Sequence, residues 1–295
     1  SQIKGEAYFL YAYTYFYLSR IYGDVPLVKE AFESVSQGLE DGTTIPRKQA
    51  PEKETLTYLL KHIDAAIVLM DYKKPGDNDW AIRVDKAAAL TLKAHVLLWL
   101  AKDENLNSAE YIKLVADAEA TLDIVINQSG RSLVNYDDPK AVVEMFDGQS
   151  SEGIFELLVS VEKKESYHMN AGGFSLHTAT YRDVSRQDLQ NLNDFLIPDP
   201  AKATSLYPQN DKRRELFFQN FGNPSGDHLA PPFMLKYASN LEDDPSATDK
   251  YFTNSNILLF RLSDCILLRA EALAKLGRYG NARMLLNTTR ERAGI

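Results

Sequence analysis

Acidic pairs are the first residues here whose types invite chemistry. Asp77 with Asp79, Asp103 with Glu104, Asp137 with Asp138, and the run Glu242, Asp243, Asp244 each bring carboxylates together. Cleaving a glycosidic bond takes two carboxylates held at a set separation around a sugar, which spacing along a chain does not establish. All four groups lie in polar, turn-like sequence, where solvated loop acids and helix caps are the ordinary state. The same oxygens suit a hard cation. Asp77, Asn78 and Asp79 begin like a calcium loop, but Ile82 stands where an EF-hand requires glycine. That motif is refused, and only an irregular structural calcium ion is left open.

The histidines are His62, His95, His168, His177 and His228, and none forms an HExxH pair. His62 and His95 fall in helical sequence, where a packed or surface imidazole is usual. His168 and His177 flank Gly172 and Gly173, giving two ligands where a metal normally takes three or four. No GxSxG elbow and no Walker loop occurs, and no helix follows the glycine pair. The sequence therefore predicts no catalytic residues, no cofactor and no metal centre, so the protein is not expected to be an enzyme.

What the chain offers instead is aromatic and hydrogen-bonding side chains set between turn residues. Tyr167, His168, Asn170, Phe174, His177, Tyr181 and Arg182 form one such group, with Asn191 and Asn193 beyond them. Carbohydrate recognition uses this combination: a pyranose stacks its C–H face on a ring while amides, guanidinium groups and acids bind its hydroxyls. Each of these rings is equally suited to cementing a loop onto helices. Trp80, set among Asp77, Asn78 and Asp79, is expected to stand exposed as a second ligand-binding candidate, with burial against the third helix as its alternative.

The elements that must position these residues are helical. From Gly5 to Leu27, Tyr8, Tyr11, Tyr15, Leu18 and Tyr22 share one stripe, with Phe9, Ala12, Phe16 and Tyr17 around it. The pattern predicts a helix buried on most of its circumference, about which the rest is arranged. Gly23 is placed to end it and Pro26 to prevent its resumption. Pro51 suits the first position of a second helix, with Leu56, Leu59, Ile63, Ala66 and Met70 on its apolar face. A third helix begins near Val84 and carries a small-residue face of Ala87, Ala88, Ala94 and Ala101, suited to close approach. Ser108 caps a fourth helix that ends at Gly130.

After Leu133 the helical period fades. Ile154–Val161 reads as a short strand. Residues 162–256 are dense in glycine, proline, asparagine, aspartate and aromatics, with brief helices expected at 185–196 and 211–218. Long ordered loops of this kind tend to carry function. Helical order returns over 259–276, and Gly277, Tyr279, Ala282 and Leu286 follow at tetratricopeptide offsets. The expected fold is mostly α: a tetratricopeptide-like helical-repeat scaffold with a long irregular loop-rich insertion and few short strands. It is read as one domain over 1–295, with helical pairs over 1–130, a ligand-side region over 131–256 and a C-terminal pair over 257–295.

Composition removes several classes. With 295 residues, 44% of them hydrophobic, the chain can bury a large core. A net charge of −8 argues against a phosphate-backbone partner. No apolar run reaches the ~20 residues of a bilayer-crossing helix. Cys265 is the only cysteine and sits in helical sequence, where a packed thiol is expected. The first residues lack the charged start and short apolar core of a signal peptide, so export is not legible in them.

Two blocks carry a family resemblance. Gly5, Glu6, Ala7, Phe9, Leu10, Ala12, Tyr15, Phe16 and Leu18, followed by Tyr22, Gly23, Asp24, Val25, Pro26 and Leu27, resemble the first repeat-helix signature of the SusD/RagB family of nutrient-binding outer-membrane lipoproteins. Tyr11 departs from it, because the family usually has arginine there. The second block is similar in Arg261, Leu262, Arg269, Ala270, Glu271, Ala272, Gly277, Asn287, Arg290, Arg292, Ala293 and Gly294.

The resemblance implies a non-catalytic protein of a Bacteroidetes-type bacterium, facing outward from the outer membrane and lipid-anchored in its full-length precursor. It implies polysaccharide utilisation: an oligosaccharide or other nutrient bound on the loop-rich side, with a SusC-like TonB-dependent transporter as partner and membrane contact through the anchor alone. It also implies a longer precursor, with a lipid-modified cysteine and about a hundred residues ahead of this chain and a tail behind it. The competing expectation is a helical-repeat adaptor that binds a protein or peptide on its concave face.

Overall fold

The computed structural model describes residues 1–29, 39–40, 43–44, 48–159, 167–168, 205–219, 233–234, 241–243, 251–253 and 255–295. They are mostly helical with a few short strands, as the periodicity predicts. The chain divides into two compact units. One comprises Ser1–Lys73, Val84–Ser129 and Lys275–Gly277, and the other Lys74–Arg83, Gly130–Ala274 and Arg278–Ile295.

In the first unit α1 spans Gln2–Tyr22, α2 Glu52–Leu69, α3 Lys86–Ala101 and α4 Ala109–Gln128. Consecutive helices pack on one another, α1 on α2, α2 on α3 and α3 on α4. The helix buried almost all round is α3, not α1. Ala87, Ala88, Ala89, Leu90, Thr91, Leu92, Ala94, Val96, Leu97, Leu100 and Ala101 are all buried. Alanines let neighbouring backbones come close on several sides of this helix at once.

The tyrosine-rich α1 buries one seam, Gly5, Phe9, Ala12, Phe16 and Ser19, while Ile3 and Leu10 are 72% and 50% exposed. The expectation that α1 is gripped on most of its circumference is thus corrected. A phenol hydroxyl needs a partner, so a tyrosine stripe belongs at a half-wet edge rather than in a sealed core. The partners are local. Tyr11 donates to the Val28 carbonyl at 2.8 Å, and Tyr15 accepts from the Val28 N–H at 2.9 Å. The two rings clip the segment after α1 back along the helix.

That segment joins α1 to α2. Gly23, at φ 71°, takes the left-handed conformation that ends α1. Val25–Pro26 (β1) pairs antiparallel with Gln49–Ala50 (β4). Between them in sequence, Leu39–Glu40 (β2) pairs with Thr43–Thr44 (β3). Asp24 then accepts from the Glu52 N–H at 2.9 Å, covering a free donor at the start of α2. Pro51 is the N-cap residue of α2 rather than its first helical residue.

The caps of α3 and α4 are side chains. Asp85 accepts from Ala87 and Ala88 at 3.0 and 3.1 Å, and also from the Lys73 N–H at 3.0 Å. Ser108 accepts from Tyr111 at 3.0 Å, and Gly130, at φ 73°, follows the end of α4.

In the second unit α5 spans Pro139–Asp147, a helix absent from the sequence expectation. Its signal was the Asp138–Pro139 start, since Asp138 accepts from Lys140 and Ala141. The predicted strand at Ile154 is β5, Gly153–Leu157, which ends earlier than Val161. β5 pairs antiparallel with β11, Ile257–Arg261, matching Ile257 to Leu157 and Arg261 to Gly153.

Tyr167–His168 (β6) and Leu241–Asp243 (β9) flank Tyr251–Thr253 (β10), and Phe218–Gln219 (β7) pairs with Phe233–Met234 (β8). α6 is Arg213–Leu216, α7 Leu262–Lys275 and α8 Tyr279–Arg292. A core of Val134, Tyr136, Val142, Met145, Phe146, Phe217, Phe218 and Ala293 joins α5 and α6 to the end of α8. Cys265 is buried, as a packed thiol should be.

Candidate functional site

The sequence candidates separate sharply in the structure. Trp80 is not an exposed platform: it is 2% exposed, its indole N–H donates to the Ser150 carbonyl at 2.8 Å, and the Arg131 guanidinium lies 4.3 Å from its ring. An indole with its one donor satisfied gains more from burial than from water, which the acidic neighbours concealed. Tyr167 and His168 form β6 and pair with Thr253 and Phe252. Asn170, Phe174, His177, Tyr181 and Arg182 lie outside the described residues.

The residues around Trp80 form a polar clasp. Ala81 and Gln149 both have positive φ, 60° and 55°, a costly region for residues with a Cβ. Gln149 holds the turn in place, donating from its side chain to the carbonyls of Asn78 at 3.1 Å and Trp80 at 3.0 Å. Its own N–H donates to Glu156 at 2.7 Å, and Asn256 donates to the same carboxylate oxygen at 2.9 Å. The second oxygen of Glu156 is buried without a partner. Burial pushes the Glu156 carboxyl up from its ordinary range, against the pull of the Asn256 and Gln149 hydrogen bonds.

Of the acids considered for a calcium ion, Asp77 bonds to the backbone. Asp77 accepts from the Lys74 N–H at 2.7 Å, an Asx-type turn. Among the described residues there is no group of three or more His, Cys, Asp and Glu side chains placed to hold a metal. His62 is packed among the rings of Tyr8, Tyr11 and Tyr58, with centroids 4.7–5.4 Å away.

A concave site that the sequence did not single out lies in the second unit. It is a cavity of about 290 Å³ reached by residues of β11, α6, α7 and α8. Arg213, Arg261, Arg290 and Arg292 line it, together with Tyr136 and Tyr207. Tyr136 and Phe217 are buried at its floor, whereas Leu267 and Leu286 are 43% and 42% exposed at its edge. Two guanidinium groups are fixed from behind. Arg292 pairs with the fully buried Glu152 and lies 4.1 Å from the Tyr136 ring centroid. Arg213 is bound bidentately by Asp211 and lies 5.1 Å from the Tyr207 ring. The cluster of Arg290 and Arg292 beside Thr289 was visible in sequence, but its convergence with Arg213 and Arg261 was not.

Comparison with known proteins gives matches at both ends of the chain. Residues 1–98 match a SusD-like family described as starch-binding and associating with the outer membrane, and residues 202–295 match the SusD family. The SusD-like protein P38 of Formosa agariphila is 24% identical over 322 aligned positions, which cover 99% of this chain and 57% of that protein. A SusD homolog of Bacteroides thetaiotaomicron, known from a crystal structure, superposes with a TM-score of 0.74 at 26% identity, over 99% of this chain and 59% of that one. The surface glycan-binding protein A of Bacteroides uniformis shares the fold, with a TM-score of 0.64 at 17% identity, 99% of this chain and 59% of that one. The chain thus spans somewhat under three fifths of the length of these relatives.

Proposed function

We propose that this chain, which belongs to the SusD/RagB family, is the nutrient-binding part of an outer-membrane protein that captures an oligosaccharide without cleaving it. In this reading it works with a SusC-like TonB-dependent transporter in a Bacteroidetes-type bacterium, lipid-anchored and facing outward. The observation that carries it is the agreement of both chain ends with SusD families, one of them described by starch binding and outer-membrane association. The helical frame supports it: α1 to α4 pack consecutively on one another, as a helical-repeat scaffold does.

The ligand face we assign to the loop-rich middle of the chain, with Tyr167, His168, Asn170, Phe174, His177, Tyr181 and Arg182 as contacts. Trp80 is withdrawn from that set by its burial. The deciding experiment is a glycan array followed by calorimetry on the purified chain, comparing Tyr167→Ala, Phe174→Ala and Tyr181→Ala. Affinity without turnover, weakened in these variants while they stay folded, is the expected result. Cleavage of the bound glycan at an enzymatic rate, or unchanged affinity in all three variants, overturns the function or the assigned face respectively.

A further inference from the structure

We propose that the arginine-lined cavity of the second unit binds the oxyanion of an acidic sugar residue, a uronate carboxylate or a sugar sulfate. The inference rests on the oligosaccharide-binding reading above and names a ligand class for a site that the reading does not use.

Four guanidinium groups and, among the described residues, no aspartate or glutamate line the cavity, in a chain whose net charge is −8. Asp211 and Glu152 neutralise Arg213 and Arg292 from behind. The other two are not neutralised by any described residue. Arg261 donates to the thioether sulfur of Met145 at 3.4 Å, a weak acceptor, and Arg290 makes no ion pair among the described residues. Two guanidinium groups of the lining therefore have no side-chain carboxylate partner among the described residues.

Donor geometry points the same way. Arg292 gives one nitrogen to Glu152 and another to the Ser263 hydroxyl at 3.0 Å, and its Nε is buried with no acceptor. Arg213 places Nε and Nη2 on Asp211, leaving Nη1 toward other acceptors. A buried N–H without an acceptor is costly, and an arriving oxyanion removes that cost. Planar guanidinium groups already held against tyrosine rings lose little freedom on binding, and their fork matches carboxylate and sulfate oxygens.

Size and walls favour a sugar over a bare ion. About 290 Å³ is room for roughly ten waters, so a lone oxyanion fills only a corner of it. The remaining surface combines the Tyr136 and Tyr207 rings with the hydroxyls of Ser263 and Thr289, which suits the two faces of one pyranose.

The test is calorimetry at low salt on the intact chain, with a glucuronate-bearing disaccharide, a sulfated disaccharide, their neutral parent and inorganic sulfate. Arg261→Gln and Arg290→Gln are the variants, because neither residue belongs to the buried Glu152 pair. Binding of at least one acidic disaccharide is expected, absent for the neutral parent and weakened about tenfold or more in each variant, with thermal unfolding unchanged. Added salt should weaken it further. No binding of either acidic sugar, binding undiminished in both variants, or inorganic sulfate binding as tightly as the sulfated sugar overturns the proposal. A neutral oligosaccharide that binds at the loop face in any of these cases leaves the proposed function standing, so the two failures are distinguishable.

Discussion

Glu152 and Arg292 stand 140 positions apart in sequence and form an ion pair in which the carboxylate is fully buried and the guanidinium nearly so. Glu152 also accepts from the Val134 N–H at 2.8 Å and from the Ser263 hydroxyl, so one carboxylate ties the segment before α5 to the starts of β5 and α7 and the end of α8. Three donors meeting one buried acid make this the polar centre of the second unit.

Arg292→Ala leaves that carboxylate without its cation. Removing one partner of a buried pair costs about 3–5 kcal/mol. Urea unfolding should show the loss, and Glu152→Gln combined with Arg292→Ala should recover part of it. Equal stability of the single and double variants would show that the pair is not coupled.

Glu156 sets a pH dependence. Its folded carboxyl is raised above the ordinary value of 4.5 by burial, so the folded state holds the proton more tightly than the unfolded chain. The favourable contribution is complete below the unfolded value and is lost as pH rises through the folded one. Glu156→Gln should keep an acceptor for Asn256 and Gln149 and remove this slope. Thermal midpoints of both proteins from pH 4 to 7 should therefore diverge upward, with the variant the more stable at pH 7.

Gly5 is where α1 crosses α2 closely. A Cβ there meets Met70 Cγ at 2.6 Å and Leu69 Cβ at 3.2 Å. Gly5→Ala gains ~1 kcal/mol of helix propensity, but overpacking costs about 1–3 kcal/mol. Chemical denaturation should show a net loss, and a gain would mean that Met70 swings aside freely.

Asp85 is 1% exposed and caps α3 while holding the Lys73 N–H. Asp85→Ala should cost about 2 kcal/mol, above the ~1 kcal/mol expected for Ser108→Ala at the more open start of α4. The two variants compared by urea midpoint give the order.

Trp80→Phe should lower stability by about 1 kcal/mol through loss of the Ser150 hydrogen bond, and leave glycan affinity unchanged. A fall in affinity with folding intact would return Trp80 to the ligand face.

The sequence by itself determined what depends on neighbours a few residues away. The extents of α2, α3 and α4, the Ser108 cap, and the left-handed glycines Gly23 and Gly130 all follow from helical period and local hydrogen bonding. Two short blocks were enough for the resemblance, and they lie in the two stretches that match SusD family models. Tertiary structure decided what depends on partners far along the chain. It made α3 rather than α1 the enclosed helix, drew Trp80 inward under Arg131, and gathered Arg213, Arg261, Arg290 and Arg292 about one cavity. Burial and charge convergence are properties of pairs of distant segments, and periodicity within one segment carries no record of which other segment will cover it.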